Sequence, residues 1–262
     1  MSVYQVVTTR DYGEGDIEAS WATVVNNGRR NTVRGRSKNR EANIERSKAR
    51  AKAEVRRKCM AMRADHLLTL TYRENMTDKE QGERDFERFV RLVHERLPEW
   101  KYVEVLERQR RGAIHSHVAV KGFQDVQLLR NLWKQVVGEG NIDVECKREK
   151  TKDGKWRKGN SYRWGKANLA NYLAKYITKE PEEENRRIEV RLNERRFRSS
   201  LNIDVPEVRV IVPWVIRGAR RTVFLKAKDY ALEKIGYIEG KRGFVWEPED
   251  AKGFYGWACS WG

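Results

Sequence analysis

Between His66 and Lys179 the chain alternates two rhythms of apolar and polar positions. HLLTLTY (His66–Tyr72) is a short β-type run. In TDKEQGERDFERFVRLVHERL, Thr77 and Glu80 stand at capping-box spacing. Phe86, Phe89, Val90, Val93 and Leu97 then follow as one helical stripe. KYVEVLE (Lys101–Glu107) predicts a strand, RQRRG a turn, and IHSHVAV (Ile114–Val120) the next strand. DVQLLRNLWKQVVG predicts a helix, with Asp125 placed to cap it and Gly138 to end it. NIDVEC (Asn141–Cys146) is a further strand, followed by a polar loop holding Trp156, Tyr162 and Trp164. LANYLAKYITK (Leu169–Lys179) predicts a helix that stops before Pro181.

The order β-α-β-β-α-β is the split βαβ arrangement of an α+β fold, a central antiparallel sheet with helices on one face. Residues 66–181 are the expected core. Residues 1–65 read as a basic N-terminal arm whose segment NREANIERSKARAKAEVRRKCMAMR favours a helix. That helix is either a solvated charged face or a grip on phosphates through groups such as Arg56, Arg57 and Lys58. Residues 182–262 form a small C-terminal accessory region with strand-like runs VRVIVPWV and RTVFL, to which the pattern assigns no task.

Charge sharpens this picture. The 262 residues carry a formal net charge of +17, which favours polyanions through phosphate neutralisation and counterion release, so nucleic acid is the leading partner. Three cysteines, Cys59, Cys146 and Cys259, are odd in number, far apart and without a CxxC, which argues against a disulfide framework and a thiolate zinc site. No apolar run approaches the roughly 20 residues of a membrane span, and the N-terminal residues lack the pattern of a secretory signal.

Two of the four histidines, His115 and His117, interrupt an apolar strand. Residues two apart share a strand face, so both imidazoles can reach one cation. Glu107 lies an even number of residues earlier across a hairpin and joins that face, while Glu104 points the other way. Ile114, Ser116 and Val118 belong to the packing side. The trio is a three-ligand site with open positions or a surface Glu–His ion pair, and its donors also suit zinc or iron. Downstream, Tyr172, Lys175, Tyr176 and Lys179 fall at i, i+3, i+4 and i+7 on one helix face. They are either an ordinary amphipathic border or a pair of nucleophilic phenols beside two ammonium groups.

Taken in order, LLTLTY, Glu107 with RRGAIHSHV, and YLAKYITK resemble the three motifs of HUH rolling-circle replication initiators, closest to those of single-stranded-DNA phages and related plasmids. The resemblance implies a central antiparallel sheet flanked by helices. It implies that His115, His117 and Glu107 hold Mg²⁺ or Mn²⁺, and that Tyr172 or Tyr176 attacks the scissile phosphate of single-stranded or hairpin origin DNA. A 5′-phosphotyrosine and a free 3′-OH would result, and the second tyrosine would cut the displaced strand. Lys175 and Lys179 each follow a tyrosine by three residues. Ser116 departs from the apolar residue usual between the two histidines. No GxxxxGK[ST] loop occurs, so a host helicase and replication machinery would act in trans, in the host cytoplasm. Arg56, Arg57, Lys58, Arg110 and Arg111 are the expected phosphate contacts, and Trp156 and Trp164 the expected base-stacking groups.

Two other readings compete. A relaxase places its tyrosine before the histidines, the reverse of the order here, whereas a single-strand transposase shares the chemistry. A non-catalytic nucleic-acid-binding α+β module would want aromatic platforms on the sheet, where this one would carry His, His and Glu.

Overall fold

The structure, a computed structural model, describes residues 2–26, 40–145, 148–150, 156–158, 161–177, 195–215, 220–238, 243–246 and 255–261. The elements run β1 (Ser2–Asp11), β2 (Ile17–Asn26), α1 (Arg40–Ala61), β3 (His66–Tyr72), α2 (Lys79–Arg96), β4 (Tyr102–Arg108), β5 (Ile114–Val120), α3 (Val126–Val137) and β6 (Gly140–Glu145). There follow β7 (Arg148–Lys150), β8 (Trp156–Lys158), α4 (Lys166–Lys175), β9 (Arg198–Ser199), β10 (Arg209–Val215), α5 (Arg220–Ile235), β11 (Phe244–Trp246) and β12 (Tyr255–Cys259). The protein is α+β, and the chain divides into two compact units, Asn39–Asp204 and a second made of Met1–Lys38 with Val205–Gly262.

The Asn39–Asp204 unit contains the expected β-α-β-β-α-β run as β3-α2-β4-β5-α3-β6, in an antiparallel sheet of order β6-β3-β5-β4-β9. Both helices of that run start where a polar side chain satisfies an orphan N–H. For α2 the cap is Asp78, one residue after the expected Thr77, and it accepts from Gln81 N at 3.1 Å. For α3 it is Asp125, which accepts from Leu128 N at 3.0 Å, and Gly138 ends the helix at φ 77°. The α4 helix starts earlier than the expected Leu169 and closes at Lys175, with Tyr176 as its C-cap.

One sheet face packs Leu68, Leu70, Tyr102, Val118, Val120 and Ile142 against Phe86, Phe89 and Val93 of α2 and Leu129, Leu132 and Trp133 of α3. Trp133 Nε1 donates to Thr71 O at 3.0 Å directly over Gly140. A Cβ on Gly140 would lie 2.6 Å from that same carbonyl oxygen, so the close approach requires glycine.

The other face is covered as well, because α4 packs on β5 and α1 packs on both α4 and β4. Helices therefore lie on both faces, not on one as the periodicity suggested. Ala51, Val55, Cys59 and Met62 of the basic segment and Leu169, Leu173 and Ala174 of α4 are buried, so α1 is part of this unit and not a free arm.

In the second unit, β10-β1-β2-β12-β11 form an antiparallel sheet. Val7, Ala19, Trp21 and Ala258 pack against Ala227, Ala231 and Ile235 of α5. The residues expected as a separate arm (1–65) and C-terminal extension (182–262) thus contribute strands to one sheet. Pairing across some 200 residues leaves no local trace in the pattern; β1 pairs with β10 in register Val7↔Val212. Pro213 fits because β10 is an edge strand, where a missing N–H breaks no ladder.

On the α2/α3 face a charged cluster fastens β9. Glu104 is fully buried, accepts from Ser116 Oγ at 3.0 Å and lies 3.7 Å from Arg198 Nη1; Arg198 Nη2 also meets Glu83 at 2.8 Å. Burial pushes the Glu104 carboxyl up to about 7, against the pull of Arg198 and the Ser116 hydrogen bond. Because the folded value exceeds the unfolded one near 4.5, Glu104 contributes stability that is full below the unfolded value and is lost as pH rises through about 7. Glu104→Gln mimics the protonated form, so its melting temperature relative to wild type should rise between pH 6 and 8, measured by scanning calorimetry across that range. A flat difference would contradict the assignment.

Candidate active site

Register sets the site. β4 and β5 pair without a bulge from Tyr102↔Val120 to Arg108↔Ile114, so Glu107 stands opposite His115, and His117 stands opposite Val105. On the other side Thr69 of β3 stands opposite His117, and β6 pairs with β3 in register Leu67↔Glu145. Side chains alternate faces, so Thr69, Glu107, His115, His117 and Glu145 all lie on the face covered by α4. Glu104 and Ser116 lie on the opposite one, as parity predicts.

His117 is the centre of a hydrogen-bonded chain. It is 3% exposed, and its Nε2 lies 2.7 Å from Glu107 Oε2. Its Nδ1 lies 3.1 Å from Thr69 Oγ1 and 3.5 Å from Glu145 Oε1. Thr69 donates its hydroxyl to Glu145 Oε1. Burial works against the imidazolium, yet the hydrogen bonds to Glu107 and Glu145 outweigh it and raise the His117 value. Burial also opposes the Glu145 carboxylate, but its bonds with His117, Thr69 and Tyr172 prevail and hold it down to about 2. His115 is half-buried, its Nδ1 is 3.1 Å from Gln109 Nε2, and burial together with the charge of His117 lowers its value.

The two phenols come from the end of α4. Tyr172 donates to Glu145 Oε2 at 3.2 Å, and Tyr176 donates to Tyr172 Oη at 2.9 Å. Tyr172 is half-buried, whereas Tyr176 is 8% exposed and stacks flat on the His117 ring, centroids 4.0 Å apart and planes at 10°. Burial and the bond to Tyr172 push the Tyr176 hydroxyl upward, away from phenolate. Lys175 places Nζ 3.4 Å over the Tyr172 ring centroid and 4.6 Å from that of Tyr176, a cation–π arrangement on the ring faces. Lys179 lies outside the described residues.

Donor chemistry and a shared sheet face suit a divalent cation at Glu107, His115 and His117. As the side chains stand, Glu107 and His117 close directly on each other. Among the described residues no group of three or more His, Cys, Asp and Glu side chains is arranged to hold a metal ion.

The expected DNA contacts are spread out. Arg110 and Arg111 are exposed in the β4–β5 turn, next to the Glu107 and His115 end of the strands, with Gly112 at φ 86°. Arg56, Arg57 and Lys58 lie half-buried on α1, and Arg57 pairs with Glu54 at 3.0 Å. Trp156 belongs to β8, and its side chain is outside the described residues. Trp164 is no open stacking platform. It is 5% exposed, donates Nε1 to Glu145 O at 2.9 Å, and packs its ring on Tyr172 with centroids 4.8 Å apart. Its apolar bulk is used to support Tyr172 and β6.

Glu145, Thr69 and Gln109 escaped the sequence reading. Glu145 sits on a strand whose alternation, Asn141-Ile142-Asp143-Val144-Glu145, marks a polar face; what the pattern lacks is that β6 pairs with β3.

Residues 65–181 match a family model for replication-associated proteins of the ORF2 type. The matched stretch spans β3 to α4 and every residue of the hydrogen-bonded chain, so this part of the protein is a replication-associated domain, consistent with a rolling-circle replication initiator. No curated protein and no solved structure matches the chain. No helix among the described residues is long and apolar enough to cross a membrane.

The stacked Tyr176 is a packing element in its own right. Tyr176→Ala should cost about 3 kcal/mol in urea unfolding, the usual size for deleting a buried aromatic ring, and more than Tyr172→Ala. Equal costs would show that the His117–Tyr176 stack adds nothing to stability.

Proposed function

We propose that this protein nicks and rejoins single-stranded or hairpin origin DNA by tyrosine transesterification, starting rolling-circle replication in the host cytoplasm. The observation that carries this reading is that one hydrogen-bonded chain joins Tyr176, Tyr172, Glu145, Thr69, His117 and Glu107. A phenol oxygen attacks the scissile phosphorus and the P–O3′ bond breaks. The 5′ phosphate remains on tyrosine as a phosphodiester, and the departing 3′ oxygen takes up a proton to become the priming 3′-OH. One phosphodiester replaces another, so a later 3′-OH can attack the tyrosyl phosphate, rejoin the strand and return the phenol. With two phenols, one can cut the displaced strand while the other releases its 5′ end.

Glu107, His115 and His117 would hold Mg²⁺ or Mn²⁺, which when bound polarises the phosphate and offsets charge developing on it. Arg110 and Arg111 at the hairpin turn, and Arg56, Arg57 and Lys58 on α1, are assigned to the phosphate backbone. Lys175 keeps cationic charge beside the attacking phenol. Strand separation falls to a host helicase.

Labelled origin-type single strands incubated with the full chain and Mn²⁺ should give a protein–DNA adduct in denaturing gels, lost with EDTA, in His117→Ala and in the Tyr172→Phe/Tyr176→Phe double variant. No adduct across a library of strands with any divalent metal would reject the nuclease reading. Replacing Arg56, Arg57 and Lys58 together with Ala should weaken DNA binding evenly across sequences. It should also flatten the log–log salt dependence by about 1 per lost phosphate contact, checked by fluorescence anisotropy titration.

A further inference from the structure

Glu145 stands apart from the expected three-ligand set, yet both of its carboxylate oxygens accept hydrogen bonds within the site. Oε1 accepts from Thr69, which in turn lies 3.1 Å from His117 Nδ1, and Oε2 accepts from Tyr172 at 3.2 Å. Its backbone oxygen accepts from Trp164, whose ring supports Tyr172. We propose that Glu145 is a positioning residue that fixes both halves of the site and thereby makes Tyr172 the first nucleophile. This rests on the nicking reading above.

The argument runs through hydrogen counts. Thr69 has one hydroxyl hydrogen and gives it to Glu145, so its oxygen is left to accept from His117 Nδ1–H. A neutral His117 held in that tautomer directs the lone pair of Nε2 toward Glu107, the orientation a cation ligand needs. A carboxylate behind a ligating imidazole is a known means of fixing its ring, and here it acts through one threonine hydroxyl. The second oxygen of the same carboxylate anchors the Tyr172 hydroxyl. Tyr172 thus points its hydrogen at Glu145 and receives one from Tyr176, which fixes the remaining lone-pair direction of its oxygen.

Tyr176 is placed otherwise. Its ring lies flat on His117, its hydroxyl hydrogen goes to Tyr172, and only 8% of the residue is exposed. A DNA phosphate reaches Tyr172 without moving the His117 stack, whereas it reaches Tyr176 only after that stack opens. The two phenols, equivalent by their Lys spacing in the sequence, are therefore unequal in the fold, and Glu145 holds the accessible one.

The test maps the DNA-linked tyrosine by mass spectrometry of proteolysed adduct and measures Mn²⁺ affinity by EPR, on the full chain. Wild type should carry at least about ten times more adduct on Tyr172 than on Tyr176. Glu145→Ala should lower that ratio at least tenfold and weaken Mn²⁺ binding about 10–100-fold, the usual size for a lost outer-shell partner. Glu145→Gln keeps an acceptor oxygen for Tyr172 and should hold the ratio within about threefold of wild type, a rescue that general loosening of the fold would not give. Circular dichroism confirms folding, and if Glu145→Ala does not fold, Glu145→Gln and the wild-type mapping decide. Adduct mainly on Tyr176 in wild type overturns the proposal and leaves nicking intact, as does a folded Glu145→Ala with unchanged ratio and Mn²⁺ affinity. Absence of any wild-type adduct rejects nicking itself.

Discussion

The site depends on one buried imidazole. His117 is nearly sealed from solvent between Glu107 on one side and Thr69 with Glu145 on the other, under the flat ring of Tyr176. A buried imidazole is tolerated only when both ring nitrogens have partners, since either one unsatisfied would cost the full desolvation of a polar group. Those partners come from three neighbouring strands and the roof from a helix. His117 is thus the point where β3, β4, β5, β6 and α4 must agree in register, and a one-residue slip of any strand would turn its partner to the opposite face.

Packing on the far side makes that agreement possible. Phe86, Phe89, Trp100 and Trp133 meet edge to face or tilted against Tyr72 and Tyr102, a large aromatic layer under the same sheet. Such a layer is stiff, because aromatic rings interlock and interiors pack at crystal-like density. The side chains on the working face are thereby held by a sheet that does not flex beneath them. Roofing that face with α1 and α4 then excludes water from His117 while leaving Tyr172 half-exposed at the border.

Much of this was legible in the residues. Alternation along KYVEVLE and IHSHVAV carries Glu107, His115 and His117 to one face because a hairpin pairs neighbours in sequence. Capping by Asp125 and Gly138 is local in the same way. What could not be read is long-range. Glu145 enters through β6 pairing with β3, some 70 residues back, and Trp164 becomes support for Tyr172 because its loop returns to the sheet. The equivalence of Tyr172 and Tyr176 by spacing is broken only by what lies above and below each ring. The sheet of β1, β2, β10, β11 and β12 is hidden for the same reason, since its halves flank the replication-associated domain along the chain.

That interleaving dictates an order of events during synthesis. The unit of Asn39–Asp204 is contiguous and can close its core once residue 204 has left the ribosome. The β1–β2 hairpin emerges first but lacks α5, β10 and β12 until the chain is almost finished. At about 5–20 residues per second, it stays unpaired on both edges for roughly ten seconds or more. Its outer strands, rich in Val and Thr, are then open to pairing with another nascent chain. The unit that bears the histidines and tyrosines matures early, and the chain as a whole is complete only when its two ends meet, so a truncated product would display the site without the sheet that joins its termini.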